Sequence, residues 1–241
     1  MTMLKRIISN IPNTITCLNL LSGAVACILA FHYDEQIGSL SGYQWAFICI
    51  GAAAVFDFCD GAAARLLKAY SNLGKELDSL ADLISFGLAP SLLMFSTINL
   101  HTTGSALTVN PWAFGALFIP VMGALRLAKF NIDTRQTTSF IGLPIPSNAI
   151  FWIGFIGWIG RYGYPGTAAS LIIVALVSLL MVSNIRMFSL KFKNFDWREN
   201  FRRYLILCAA VLFVATEGLA GFAWTILLYL LISAVGRKDI A

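Results

Sequence analysis

The sequence predicts an all-α, polytopic membrane bundle, and three observations carry that class: 58% of the 241 residues are hydrophobic, only 12% are charged, and the apolar residues recur in helix-length runs along the whole chain. A mean hydropathy of +0.77 leaves too little polar surface for a soluble domain of this size. A bilayer core of about 30 Å takes roughly 20 helical residues to cross, because every backbone polar group must be bonded within its own segment. Eight segments are expected, at about 14–32, 44–68, 76–98, 112–128, 145–161, 167–187, 203–217 and 220–235, in a single integral membrane domain spanning 1–241 with no internal repeat or low-complexity linker.

Before the first segment, "MTMLKRIISNIP" places Met3, Leu4, Ile7, Ile8 and Ile11 at helical spacing with Lys5 and Arg6 on the other face. That pattern predicts an N-terminal interfacial amphipathic helix lying in the membrane plane, with a disordered tail as the competing reading. Lys5 and Arg6 before an apolar run resemble a secretory signal, and "AVAC" at 24–27 a lipoprotein cleavage site. The run continues past Cys27, so the segment reads as retained helix 1.

The basic residues test the helix count independently, since cytoplasmic loops carry the positive charge. With both termini cytoplasmic, Lys5, Arg6, Arg65, Lys68, Lys75, Arg126, Lys129, Arg135, Arg186, Lys191, Lys193, Arg198, Arg202, Arg203, Arg237 and Lys238 fall inside and Arg161 alone outside, so sixteen of the seventeen agree. The net charge of +5 is therefore a topology signal spread over separate loops, and no nucleic-acid partner is expected. The five cysteines form no Cys-x-x-Cys pair and read as packing residues. His32 and His101 stand alone at outer helix ends, where an interfacial role outweighs metal ligation.

Segments 2 and 3 carry the chemistry. Asp57 and Asp60 are three residues apart in one helix, Asp78 and Asp82 four apart in the next, so each pair shares a face. Ser71, Asn72 and Gly74, within "AYSNLGK" at 69–75, suit a tight turn, which makes the two helices antiparallel neighbours and lets the pairs converge. At about 1.5 Å per residue Asp57 lies roughly 16 Å from Lys68, recessed from the cytosol yet within reach of water. Four carboxylates in low dielectric cannot all ionise unaided, because like charges and desolvation both oppose it. Divalent cations resolve the conflict. All-oxygen ligation points to a hard ion such as Mg²⁺, Mn²⁺ or Ca²⁺, with room for two, and no His or Cys cluster offers a zinc site. Helix capping, or pairing of Asp78 with Lys75 or Arg65, is the competing account and explains one aspartate better than four.

Gly61 follows Asp60 inside a helix, where glycine costs about 1 kcal/mol relative to alanine, so close approach of a ligand is one reason for it. Ala62, Ala63 and Ala64 keep the same region low, for which packing of two helices is an equal explanation. Arg65, one turn beyond the acids, fits a phosphate-bearing ligand or a simple topology charge.

With its spacing, the stretch reads D-x-x-D-G-x-x-A-R, eight residues, G-x-x-x-D-x-x-x-D, filled by Asp57, Asp60, Gly61, Ala64, Arg65, Gly74, Asp78 and Asp82. This resembles the signature of the CDP-alcohol phosphotransferase family. The resemblance implies a membrane enzyme that moves a substituted phosphoryl group from a CDP-linked donor to an alcohol and releases CMP, at a divalent site between helices 2 and 3. It also implies Asp57, Asp60 and Asp78 as metal ligands and Asp82 as ligand or general base. "IPNTITCLNLLSG" (11–23), "LDSLADLISFGLAPS" (77–91), "ALRLAKFNI" (124–132) and "GLPIPSNA" (142–149) resemble the bacterial and archaeal, membrane-embedded, serine-accepting branch. The likeness covers about 8–190, leaving 191–241 as a basic cytoplasmic loop and two extra C-terminal helices.

The substrates implied are CDP-diacylglycerol and L-serine, within a cytoplasmic membrane, with the site facing the cytoplasm and a homodimer expected. Asn13 and Thr16 resemble nucleotide-side contacts, joined by Gly61, Ala64, Arg65 and Gly74, although Asn13 or Thr14 also suits a helix cap. Arg126, with Lys129 and Asn131, offers a cation for the acceptor's carboxylate, or again a topology charge. Ser85, three residues beyond Asp82, is a candidate contact to serine, and Pro144 and Pro146 would start helix 5. The diacylglycerol tail calls for a lateral, apolar opening among membrane lipids. Other acceptors, glycerol 3-phosphate or inositol phosphate, would want a denser basic pocket. A cation transporter would place acids near the midplane on broken helices with a matching half-repeat, neither of which is present; a noncatalytic scaffold has no need of four acids.

Overall fold

The computed structural model describes residues 3–104, 108–133, 140–188 and 196–235. Among them are eight helices: α1 (Met3–Phe31), α2 (Gly42–Leu66), α3 (Asn72–Thr103), α4 (Pro111–Ile132), α5 (Ile145–Tyr162), α6 (Thr167–Val182), α7 (Trp197–Glu217) and α8 (Ala220–Val235). Two short antiparallel ribbons accompany them, β1 (Gln36–Ile37) with β2 (Leu40–Ser41), and β3 (Phe140–Ile141) with β4 (Arg186–Met187). Four helices, α1 from Asn10 onward, α2, α3 and α4, are long and apolar enough to cross a membrane, and α6 and α8 are shorter apolar helices. The chain divides into two compact units, Met1–Ala124 and Leu125–Ala241.

In the first unit α1 lies against both α2 and α3. Fully buried alanines, Ala26 and Ala30 on α1 and Ala46 and Ala53 on α2, allow close approach where larger side chains would hold helices apart. The backbone runs through Pro12 without a break, so no interruption separates the expected interfacial stretch from the span. The side chains before Asn10 lie outside the described residues, as do Arg135, Lys191, Lys193, Arg237 and Lys238.

The link between α2 and α3 differs from the expected turn. Helix α3 begins at Asn72 rather than near 76, because Ser71 caps it: the Ser71 hydroxyl accepts from the Gly74 N–H at 2.9 Å. Asn72 and Gly74 therefore sit in the first helical turn, and the reversal is made by Leu67–Ser71 with Lys68 at φ +52°. Further along α3, residues Leu83–Leu88 form a π turn in which the Ala89 N–H reaches back to the Ile84 carbonyl. Pro90 follows directly. Proline has no N–H to donate and its ring crowds the carbonyl four residues earlier, so a widened turn absorbs the conflict without ending the helix.

In the second unit, Pro144 and Pro146 do open α5, with Pro144 at the cap position. The hydropathy pattern predicts a sixth segment over 167–187. Instead α6 ends at Val182, where the Ser183 hydroxyl donates to the Leu180 carbonyl at 2.8 Å. The chain then extends into β4, held by the Gly142 N–H donating to Ile185 and the Leu143 N–H donating to Leu180, at 2.8 and 3.0 Å. Helix α7 begins at Trp197 rather than near 203, since its first two turns are basic and polar and carry no hydropathy signal.

Candidate metal centre and its pockets

Burial of a carboxylate inside an apolar helix is tolerated only where something compensates its charge. In the first unit α2 supplies Asp57 and Asp60 and α3 supplies Asp78, and one oxygen from each lies within 4.8 Å of the others. Asp60 is buried, at 6% exposure, and Asp78 keeps a buried oxygen, Oδ1, with no hydrogen-bond partner. An orphaned carboxylate oxygen beside two further carboxylates is what a hard cation satisfies, so these residues fit a divalent ion. Helix α1 reaches Asp60: the Thr16 hydroxyl lies 2.6 Å from Asp60 Oδ2 and 3.0 Å from the Pro12 carbonyl, and its single proton is donated to one of the two.

Asp82 is not one of the three carboxylates whose oxygens meet within 4.8 Å. It is buried, and Asn19 of α1 donates to its Oδ1 at 3.3 Å. Ser85 does not share an open face with it. The π turn carries Ser85 into full burial, where its hydroxyl donates to the Asn19 backbone carbonyl at 3.0 Å. Asn19 thus touches the surroundings of both residues, and sequence reasoning passed over it. Its signal was the i, i+3, i+7 stripe of Thr16, Asn19 and Gly23 along an otherwise apolar helix.

A cavity of about 220 Å³ adjoins the trio, lined by Pro12, Asn13, Thr16, Asp60, Gly61, Ala64, Ala69, Tyr70, Ser71, Gly74, Lys75 and Asp78. Five of the residues expected on the nucleotide side, Asn13, Thr16, Gly61, Ala64 and Gly74, meet here. Arg65 is exposed and is not among the lining residues. The glycines divide in role. A Cβ on Gly61 would meet no protein atom within 4 Å, so helix packing does not explain this glycine and the space above it belongs to the cavity. A Cβ on Gly74 would come within 2.8 Å of Asn13 Oδ1, so a side chain here would displace the Asn13 amide from its place beside the cavity.

The second unit holds a cavity of about 400 Å³, lined by Arg126, Lys129, Ile132, Asp133, Ile141, Met181, Val182, Ser183 and Asn184. Arg126 is buried and its guanidinium lies over the Phe130 ring at 5.3 Å, while Lys129 is exposed. Asn131 does not line this cavity. His32 pairs with Glu35, and His101 meets the Thr97 carbonyl, so neither histidine is isolated. The five cysteines are unpaired.

Long apolar helices carrying a three-carboxylate cluster with an adjacent cavity define a class, the helical membrane protein with an acidic cluster that could hold a metal ion. Within that class the match is specific, because the CDP-alcohol phosphatidyltransferase family model matches residues 9–185, and the chain belongs to that family. Among its relatives, a CDP-diacylglycerol–serine O-phosphatidyltransferase of Helicobacter pylori is 32% identical over 226 residues, covering 90% of this chain and 88% of the relative. Proteins of the same name are 33% identical in Methanocaldococcus jannaschii, over 75% of each chain, and 39% identical in Bacillus subtilis, over 56% of this chain and 69% of the relative.

Proposed function

We propose that this chain transfers the phosphatidyl group from CDP-diacylglycerol to the hydroxyl of L-serine, yielding phosphatidylserine and CMP. The carrying observation is the Asp57–Asp60–Asp78 cluster opening onto the cavity above Gly61. The names of the relatives support serine as the acceptor. Asp57, Asp60 and Asp78 would hold Mg²⁺ or Mn²⁺, two ions in the full site, with Asp82 as a further ligand or as the base. When bound, such ions neutralise the pyrophosphate and stabilise the charge gathering on departing CMP. Asn13, Thr16, Gly61, Ala64, Arg65 and Gly74 are assigned to the CDP moiety.

Asp82 is assigned the proton of the serine hydroxyl. As that proton moves to the carboxylate, the serine oxygen bonds to the phosphorus bearing diacylglycerol and the bond to CMP breaks on the opposite side. Asn19, bonded to Asp82 Oδ1, fixes the orientation of the base. Ser85, bonded to Asn19, supports that placement in our reading rather than contacting serine directly.

The acceptor is assigned to Arg126 and Lys129, with Asn131 as a neighbouring polar group. Asp133 lines the same cavity as the two cations, so the cavity presents both signs of charge. A zwitterionic amino acid asks for that combination, and a phosphomonoester does not. The reading places eight spans in the membrane, both termini and the site on the cytoplasmic side, and two copies in a homodimer. The test is purified protein in detergent with CDP-diacylglycerol and a panel of alcohols, following CMP and identifying the lipid product. Phosphatidylserine formed at the highest rate is expected; preference for glycerol 3-phosphate or inositol phosphate would overturn the acceptor assignment while leaving the family chemistry intact.

A further inference from the structure

The two C-terminal helices, α7 and α8, lie beyond the 9–185 match and take no part in the carboxylate cluster. A side chain of α8 reaches the segment beside the cavity around Arg126. Tyr229 of α8 is buried, at 3% exposure, and its hydroxyl donates to the backbone carbonyl of Phe188 at 2.7 Å, with the two rings in edge contact at 5.2 Å. Phe188 directly follows β4, which pairs with β3 through Ile141↔Arg186 and Phe140↔Met187. Ile141 and the turn residues Ser183 and Asn184 line the cavity.

We infer that Tyr229 is a positioning residue that fixes the β3–β4 wall of the acceptor cavity, and that anchoring this wall is a role of the C-terminal hairpin. The inference rests on the reading of that cavity as the serine site. Two-residue strands cannot hold their register alone, since an isolated two-stranded ribbon is marginal even when longer. The ladder therefore depends on what grips its ends. The Phe188 carbonyl is one such end, and without Tyr229 it would lose the buried donor it now has.

The grip is itself rigid. Helix α8 seats on α5 where a Cβ at Gly154 would collide with the Ala223 backbone, and one at Gly157 would meet Leu219 Cβ at 2.6 Å and the Ala220 nitrogen at 3.1 Å. Ala220, Ala223, Ile226 and Tyr229 recur every three residues along the buried stripe of α8, so the tightly packed start of the helix sets the height of the tyrosine.

The experiment uses the full chain in detergent and compares Tyr229→Phe, which keeps the ring, with Ser233→Ala. Ser233 is a buried hydroxyl on the same helix with no hydrogen-bond partner, so its loss controls for general disturbance of α8. Initial rates are measured against serine and against CDP-diacylglycerol, and hydrogen exchange is followed in peptides covering 140–143 and 183–188. Tyr229→Phe should raise the serine KM about 3- to 10-fold, the scale of one buried hydrogen bond, with the donor KM within about 2-fold. Exchange at Gly142 and Leu143 should quicken, and Ser233→Ala should change neither. An unchanged serine KM, equal shifts in both KM values, or unaltered exchange would overturn the inference. Arg126→Ala separates the two levels. If it raises the serine KM while Tyr229→Phe does not, the positioning role fails and the acceptor cavity stands; if Arg126→Ala leaves the serine KM unchanged, the cavity assignment fails and the inference with it.

Discussion

Asp60 and Asp82 meet different partners on α1, and the difference gives them distinct mutational signatures. Asp60 lies 2.6 Å from Thr16, an outer contact of the kind whose loss costs metal sites about 10- to 100-fold in affinity or activity. Thr16→Val should therefore need about tenfold more Mg²⁺ or Mn²⁺ for half-maximal rate and recover at high metal, as a divalent titration will read; a lower rate that metal does not restore would place Thr16 on the substrate side. Asp60→Asn or Asp78→Asn should lose about 100-fold or more. Asp82 is separable from them, being outside the trio and bonded to Asn19. For Asp82→Asn we expect collapsed turnover, retained donor binding and no rescue by metal, whereas substantial rescue would make it chiefly a ligand. Gly61→Ala makes the sharpest contrast, since alanine favours the helix by about 1 kcal/mol while its methyl enters the cavity. The melting temperature should hold or rise as the CDP-diacylglycerol KM increases; a melting temperature that falls would return Gly61 to helix packing.

At the scale of elements, legibility follows the cost of what is buried. The aspartates stood out in sequence because charges in apolar helices are expensive, so four of them at helical spacing had few innocent explanations. An uncharged polar side chain costs far less, so Asn19 gave no comparable warning and Thr16 was legible only as a nucleotide-side contact; their contacts with Asp82 and Asp60 are visible in the structure alone. The β3–β4 ribbon was invisible because two-residue strands have no period to detect, and the start of α7 because its polar first turns mimic a loop. The π turn of α3 was equally hidden, although Pro90 marked a place where the regular ladder fails. Pro90→Ala removes that obstacle. A regular α ladder would then rotate Ser85 and its partners relative to Asp82, so turnover should drop about tenfold without loss of thermal stability; unchanged turnover would show that the widened turn has no part in setting the site.

For the whole molecule, the placement of charge makes the topology testable. Lys68→Cys, in the α2–α3 link, should react with an impermeant thiol reagent from the cytoplasmic face, and Gln36→Cys, in the β1–β2 ribbon, from the other, each in a background with the natural cysteines replaced. Labelling of both from one side would break the proposed order of spans. The same orientation would bring the donor's CDP group to water while its acyl chains stay in hydrocarbon, which is why a soluble fold would serve this chemistry poorly. The central claim is that the carboxylate cluster makes phosphatidyl transfer to serine divalent-dependent. Its most direct test follows phosphatidylserine and CMP together, from CDP-diacylglycerol and serine, in chelator and then with Mg²⁺ or Mn²⁺ restored. The account predicts equimolar products that vanish in chelator and return with metal; a full rate in excess chelator, or CMP release that ignores serine, would contradict it.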